Sequence, residues 1–220
     1  FTSSGPADSL DWLETSVANE YEISVGPRLG PGPNDAKQAR ASNRVITWHE
    51  DRIEYEADPR QAERLIKECG LDGANPMATP GAKATYQDHE GDKPLDKSLH
   101  TAFRGSAARS NYMSADRLDC QFACKEICRI MSMPTEQGWK ALKRLGRYLC
   151  GAPRLVYTYR KQTIDAINVY VDTDWAGCVK TRKSTSGGAV MLGRHTIKHW
   201  SSTQPSVSLS SGEAEFYGVV

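Results

Sequence analysis

The stretch AINVYVD, residues 166–172, ends on the carboxylate best placed to do chemistry. Its strict two-residue alternation is typical of a strand, and an acid such as Asp172 at the end of a strand lies where an α/β sheet presents ligand groups. A second carboxylate on the following helix could share a divalent cation with it. Two-metal phosphodiester hydrolysis, however, needs three or four carboxylates. The spacing of Asp172 and Asp174 alone therefore favours a turn, which Asp often caps.

Four basic residues share one face of a helix predicted over 135–150. They stand at i, i+3, i+4 and i+7, and we call them the cationic ridge: Lys140, Lys143, Arg144 and Arg147. Another face carries an apolar stripe that would pack on a core. Like charges one turn apart repel by roughly a few tenths of a kcal/mol per pair, so an anionic partner would explain the ridge. A plain solvated face explains it equally well.

Charge is segregated along the chain, although the formal net charge is only +1. Residues 1–136 hold 16 Lys or Arg against 22 Asp or Glu, whereas residues 137–220 hold 12 against 5. A basic C-terminal part suggests a polyanionic partner, because neutralisation of phosphates by Lys and Arg drives sequence-independent nucleic-acid binding. An electrostatic match between the two parts of the chain is the alternative.

Length and composition exclude several classes of protein. With 220 residues, 39% hydrophobic and 25% charged, the chain is long enough for a sizeable core and is unlike collagen, low-complexity or disordered sequences. No apolar run approaches the roughly 18 residues of a membrane span, and the first residues lack the layout of a signal peptide. We therefore expect an intracellular protein, in the cytoplasm or nucleus, with no membrane partner and with reduced cysteines.

The N-terminal half divides into two predicted parts. Residues 1–42 are rich in Gly, Pro, Ser and Asp without a sustained period, which predicts a loop and linker region. Residues 43–99 begin with two β-branched and aromatic runs that predict a hairpin. A helix should follow, with Asp58 as its N-cap and Pro59 in its first turn, and then a connecting segment over 71–98.

The remaining residues predict helices and then strands. Residues 100–152 carry three helical patterns, with Pro134 between the last two. Residues 153–220 contain four short runs with strand character and end in a helix-compatible pattern. Together these features predict an α+β protein, in which a mainly helical region with a small β-hairpin precedes an α/β sheet.

An ordered series of motifs in residues 169–218 resembles the start of the RNase H domain in Pol polyproteins of copia-type (Ty1/copia) retrotransposons. The series is D-x-D-W-A-G, T-R-K-S-T-S-G, I-x-x-W-x-S-x-x-Q and S-L-S-S-x-E-A-E-[FY]. Upstream, MSMPTEQGWKALKRLGRYLCG is similar to the helical segment that joins polymerase to RNase H, and TWHEDRIEYEADPRQAERLIKECGL is similar to the thumb of the reverse transcriptase. The resemblance implies a thumb-like region at 43–99, a helical connection at 100–152 and a truncated RNase H-like α/β sheet at 153–220.

The resemblance also implies roles for individual residues. Asp172 occupies the position of the first catalytic carboxylate, and Glu215 fits the second through the pattern E-x-x-[AG]. Both are then expected to bind Mg²⁺. Glu213 fits less well, and residues two positions apart on a helix point about 200° apart, so Glu213 and Glu215 cannot face one metal ion. Arg182 and Lys183 are expected either to grip the backbone of an RNA–DNA hybrid or to form a solvated hairpin tip.

Departures from the family pattern limit what this sequence can do. The further catalytic aspartates would lie beyond Val220, and the polymerase Tyr-x-Asp-Asp strand is absent. The resemblance therefore implies a fragment of a polyprotein that hydrolyses RNA in RNA–DNA hybrids by two-metal catalysis, inactive or nearly so without the remainder of the polyprotein. Two alternatives stay open. One is a non-catalytic nucleic-acid-binding module that uses the cationic ridge, and the other is a degenerate remnant that would not fold cooperatively.

Overall fold

The computed structural model of the protein describes residues 2–83, 85 and 90–220. Residues 84 and 86–89, which belong to the predicted connecting segment, lie outside the described residues. The α+β class is confirmed, because helices and two small antiparallel sheets occur along the same chain. Contacts divide the chain into two compact units.

The first unit, Phe1–Glu56 with Val156–Lys161, contains one helix and a four-stranded sheet among its described residues. Helix α1 is Ala7–Glu20. The strands, in the order β1–β2–β3–β4, are Gln38–Ala41, Arg44–Trp48, Arg52–Glu56 and Val156–Arg160. All neighbouring strands are antiparallel, and β2 with β3 forms the predicted hairpin.

Two features of this unit differ from the sequence-based expectation. Residues 1–42 are not loop and linker throughout, since α1 and β1 lie there. None of the residues in α1 is buried, so its sequence carries no clear core-facing stripe. The first strand of residues 153–220 is β4, which pairs with β3 instead of joining the strands that follow it. Alternation reveals a strand but not its partner, because backbone hydrogen bonds are common to all strands.

The second unit, Ala57–Leu155 with Gln162–Val220, begins with helices. They are α2 (Pro59–Glu68), α3 (His100–Ser114), α4 (Gln121–Cys128) and α5 (Glu136–Gly151). Asp58 caps α2 as predicted and accepts a hydrogen bond from the Arg60 N–H at 3.2 Å. Thr135 caps α5 in the same way, through the Gly138 N–H at 3.2 Å.

The hydrophobic core of this unit is built by the helices. Its largest fully buried apolar side chains are Leu65, Phe103, Ile127, Leu142, Leu145 and Leu149. Three of them form the predicted stripe on α5, which is therefore confirmed. Gly146 lets α5 pack closely, because a Cβ there would lie 2.5 Å from the Leu71 Cδ1 atom. The core thus fixes which face of α5 turns away from it.

A three-stranded antiparallel sheet and a last helix complete the unit. The strands, in the order β5–β6–β7, are Ile167–Asp174, Thr185–Leu192 and His195–Thr203, and the helix α6 is Ser211–Val219. α6 packs on one face of β5, where a Cβ added to Gly218 would collide with Thr173 Oγ1 and lie 3.1 Å from Val171 Cγ1. α4 lies on the other face, where Lys125 Nζ donates to Thr185 Oγ1 at 2.8 Å.

Candidate functional site

Asp172 lies near the end of β5 with an exposed side chain. It is in register with Gly187 of β6, which is in turn in register with Ser201 of β7. Residues directly paired across strands share a face, so Asp172 and Ser201 belong to the face on which α4 lies. Within the described part of the chain, no hydrogen bond or ion pair engages the Asp172 carboxylate.

Glu213 and Glu215 have different roles at the start of α6. The Ser210 hydroxyl accepts a hydrogen bond from the Glu213 N–H at 3.1 Å, and the Glu213 carboxylate accepts one from the Leu209 N–H at 2.7 Å. This reciprocal arrangement is a variant of the capping box, in which the carboxylate binds the N–H of the residue before the N-cap, and the Ser-x-x-Glu spacing in the sequence could have revealed it. Glu215 is exposed and has no such partner among the described residues. Of the two acids, Glu215 has the free carboxylate.

Strand alternation determines how Asp172 and Glu215 are placed. Val171 and Thr173 point to the face covered by α6, so Asp172 between them points to the opposite face. Glu215 projects from α6 on the first face. Among the described strands, β5 pairs only with β6 and leaves its other edge free. One cation that contacts both carboxylates would therefore lie at this free edge.

The residues present do not fit a complete two-ion centre. The part of the chain that the structure describes contains no group of three or more His, Cys, Asp or Glu side chains able to hold a metal ion. Asp174, the nearest further acid in sequence, accepts a hydrogen bond from the Thr185 N–H and lies over Gly177. Two free carboxylates are fewer than two-metal hydrolysis needs.

Two members of the cationic ridge bind a loop of this chain, and the other two are exposed to solvent. Arg144 donates to Thr79 Oγ1 at 2.7 Å, and Arg147 Nε donates to the Asn75 carbonyl at 2.8 Å. These two arginines therefore anchor the loop at 75–79 to α5. The other two members of the ridge are exposed: Lys140 and Lys143. Only the two lysines project into solvent where an anion can reach them easily.

Arg182 and Lys183 lie in the loop between β5 and β6, and this loop contacts α4. Arg182 adopts a left-handed backbone, φ +57°, and its N–H donates to the Cys178 carbonyl at 2.7 Å. Arg129, the C-cap residue of α4, donates through Nη2 to Cys178 Sγ at 3.1 Å. Burial raises the pKa of the Cys178 thiol, but hydrogen bonds from Thr181 and Arg129 outweigh burial and lower the pKa below its ordinary value. The loop that carries Arg182 and Lys183 thus contacts Arg129 through Cys178.

Sequence reasoning missed two basic residues, one in α4 and one at its C-cap. Lys125 and Arg129 line a cavity of about 430 Å³ between the helices and β7, which we call the α4 cavity. Uncharged residues complete its lining: Asn111, Ser114, Gln121, Cys128 and Ser201. The i, i+4 spacing of the two cations was visible in the sequence, but their position on the Asp172 face depends on the packing of α4 against the sheet.

Comparisons with known proteins show relatives of several kinds. The chain is 37% identical over 156 residues to the retrovirus-related Pol polyprotein from transposon RE2 of Arabidopsis thaliana, a match over 70% of this chain and 10% of that protein. It is 31% identical over 166 residues to an uncharacterized mitochondrial protein of Arabidopsis thaliana, over 71% of this chain and 64% of that one. It is 34% identical over 104 residues to secreted RxLR effector protein 161 of Plasmopara viticola, over 47% and 73%.

These relatives differ greatly in length. The chain spans about a tenth of the length of the RE2 Pol polyprotein. No protein-family model matches it, and no solved structure matches it significantly. Of the helices in the described residues, none has the length and apolar character needed to cross a membrane.

Proposed function

Because the chain belongs to the family of Pol polyproteins of copia-type retrotransposons, we propose that it comprises the thumb and connection of a reverse transcriptase followed by the N-terminal half of RNase H. The order of its elements supports this proposal. A hairpin and a capped helix come first, a helical region follows, and an antiparallel sheet with one helix comes last. The remainder of the polyprotein is the partner that completes the enzyme.

In the complete polyprotein, the reaction is hydrolysis of the RNA strand in an RNA–DNA hybrid. Asp172 and Glu215 would hold Mg²⁺ there, at the free edge of β5 and together with carboxylates from outside this chain, and the metal would supply an activated water and a polarised phosphate. The observation that carries this proposal is the free, exposed carboxylate of Asp172 beside Gly187. The glycine has no side chain, so this face of the sheet is open to a phosphodiester next to the acid.

The chain by itself is expected to be inactive or nearly so, because its carboxylates are too few for two ions. The measurement is cleavage of a labelled RNA–DNA hybrid with Mg²⁺ or Mn²⁺, by the chain and by its Asp172→Asn variant. We expect no difference between them. Turnover that the substitution abolishes would contradict the inactivity while supporting the role of Asp172.

The roles of the acids are tested in a longer protein, made by joining this chain to the C-terminal continuation of the RE2 polyprotein. Asp172→Asn and Glu215→Gln should each reduce cleavage by about 100-fold or more, as loss of a key electrostatic group does. Asp165→Asn is the matched control, because Asp165 is also exposed but lies before β5. Full activity of Glu215→Gln, with loss in a folded Glu213→Gln variant, would show that the second carboxylate was misassigned.

A second candidate function is nucleic-acid binding without cleavage. It is favoured by the exposure of Lys140 and Lys143 together with the incomplete metal site. Replacing both lysines by Gln should weaken hybrid binding and flatten its salt dependence. Lys67→Gln, an exposed lysine on α2, is the control. Binding without cleavage by the longer protein would favour this candidate, whereas cleavage would exclude it.

A further inference from the structure

The α4 cavity and Asp172 lie on the same face of the second sheet. Two hydrogen bonds hold α4 on this face: Lys125 Nζ to Thr185 Oγ1 at 2.8 Å, and one between the Gln121 side chain and His199 Nδ1 at 3.0 Å. Ser201 lines the cavity and is separated from Asp172 only by Gly187 across the sheet. Because strands lie about 4.8 Å apart, Asp172 and Ser201 have Cα atoms roughly 10 Å apart.

The two cations of the cavity still have donors to offer. The Lys125 ammonium has three N–H groups and uses one on Thr185 and one on Glu126, which lies at 2.8 Å. Arg129 binds Glu126 through Nη1 at 3.0 Å and Cys178 through Nη2 at 3.1 Å. Its Nε–H and one Nη2–H have no acceptor among the described residues.

These side chains are held in place before any ligand binds. The side chain of Lys125 is 14% exposed and that of Arg129 is 29% exposed. Their existing hydrogen bonds restrict the rotamers, so binding an anion costs less side-chain entropy than it would at a free surface lysine. This distinguishes the cavity from the exposed lysines of the cationic ridge.

The charge balance of the cavity is positive. Glu126 pairs with both Lys125 and Arg129, so one carboxylate faces two cations. None of the described residues that line the cavity is acidic. An anion therefore finds an uncompensated positive charge here, and the planar guanidinium with the ammonium suits a phosphate group in particular.

We propose that the α4 cavity is a phosphate subsite, which takes one phosphodiester group of a nucleic-acid strand whose other part lies at Asp172. The separation of roughly 10 Å corresponds to about three base-pair steps along the axis of a duplex, at 3.4 Å of axis for each phosphate of one strand. This inference rests on the proposed function, since it presumes a nucleic-acid ligand. It assigns Lys125 and Arg129 to positioning the strand, away from the reacting phosphate.

The test measures binding of a fluorescein-labelled RNA–DNA hybrid by anisotropy, with salt varied from about 50 to about 200 mM. Arg129→Gln and Lys125→Gln should each weaken binding about 5- to 10-fold at the lowest salt and reduce the slope of log K against log[salt] by about 1. Lys67→Gln is the control for loss of one charge elsewhere and should change neither quantity by as much as 2-fold.

A second pair of variants changes Ser201 and leaves the hydrogen bonds between α4 and the sheet intact. Ser201→Asp adds a carboxylate to the cavity and should weaken binding by at least as much as Arg129→Gln, because it repels the phosphate. Ser201→Ala, which removes the hydroxyl without adding charge, should bind within about 2-fold of the unaltered chain. Circular dichroism establishes that each variant is folded, and if the α4 variants unfold, the Ser201 pair alone decides.

The outcomes separate the subsite from the proposed function. If the unaltered chain binds the hybrid but Arg129→Gln and Ser201→Asp behave like Lys67→Gln, the subsite is wrong and the nucleic-acid function stands. If the unaltered chain does not bind the hybrid at all, both are wrong. Weakened binding with a smaller salt slope, confined to the cavity variants, supports the subsite.

Discussion

The helices α2–α5 and the region formed by β5–β7 with α6 belong to one compact unit but bury their side chains differently. In the helices, large apolar residues such as Leu65, Phe103 and Leu145 are 0% exposed. In the second region, Ile167 is 65% exposed and Val169 is 59% exposed. Apolar burial contributes to stability in proportion to the area removed from water, so most of the unit's stability resides in the helices.

Hydrogen bonds replace much of the missing apolar packing between α6 and its sheet. The Gln204 side chain donates to Ser186 Oγ at 3.0 Å and to the Ala214 carbonyl at 2.8 Å, while the Ser208 hydroxyl donates to Gln204 Oε1 at 3.0 Å. Each net hydrogen bond contributes only about 1 kcal/mol. The helices therefore supply most of the stability of the unit. The region of β5–β7 and α6 carries Asp172 and Glu215 but contributes less to stability.

The largest expected effect is that of Leu145→Ala in the helical core. It should lower the free energy of unfolding by about 2–5 kcal/mol, because the buried methyl groups leave a cavity. Val169→Ala in β5 is the matched control and should cost less than about 0.5 kcal/mol, since the side chain is already exposed. Urea denaturation of both variants measures the difference. Equal losses would mean that stability is shared evenly between the regions.

The next largest effect is the loss of stability in acid that results from protonation of Asp119. This carboxylate accepts hydrogen bonds within the helical region. Burial raises the pKa of Asp119, but hydrogen bonds from Arg117 at 2.7 Å and Tyr148 at 2.8 Å outweigh burial and hold it below its ordinary value. Its contribution is therefore complete above the ordinary Asp pKa and is lost as pH falls through the lowered one. At neutral pH, Asp119→Asn should cost about 1.5–3 kcal/mol.

Unfolding measured as a function of pH tests this contribution. The unaltered chain should lose stability in acid more steeply than Asp119→Asn, since the variant no longer has this proton to take up. Asp72→Asn, an exposed acid in the same unit, is the control and should leave the profile unchanged. If stability falls with pH in the same way in all three proteins, protonation of Asp119 is not linked to unfolding.

A smaller effect is expected from Gly218→Val, which targets the contact of α6 with β5. The new side chain would collide with Thr173 and press on Val171, at a cost of about 1–3 kcal/mol. Because this region contributes little to stability, α6 should detach while the helices stay folded. Hydrogen exchange should show lost protection in α6 and β5 but not in α5. Gly212→Ala, where a Cβ meets nothing within 4 Å, is the control.

The smallest effect is that of Ser210→Ala, which removes the N-cap of α6. The substitution should lower the stability of the first turn of α6 by about 1 kcal/mol. Hydrogen exchange measures this loss as faster exchange of the first amides of α6. Ser211→Ala, one residue further and exposed, should change them little. If the two substitutions act alike, the capping box does not hold the start of the helix that carries Glu215.

Local signals in the sequence predicted most of the elements. The capping residue Asp58 begins α2, an apolar stripe marks α5 and strict alternation marks β5, because caps and periodicity depend on residues only a few positions apart. The family resemblance pointed to Asp172 and Glu215. α1 escaped detection because it buries nothing, and the capping role of Glu213 was missed although its spacing from Ser210 was visible.

By itself, the sequence determined the order and type of most elements after residue 42 and several of the side chains that could do chemistry. Only the tertiary structure decided that β4 pairs with β3, that Arg144 and Arg147 anchor a loop, and that α4 lies on the face of Asp172. The physical reason is separation along the chain. Lys125 and Thr185 are 60 residues apart, and no periodicity in either segment records which surfaces meet when the core is packed.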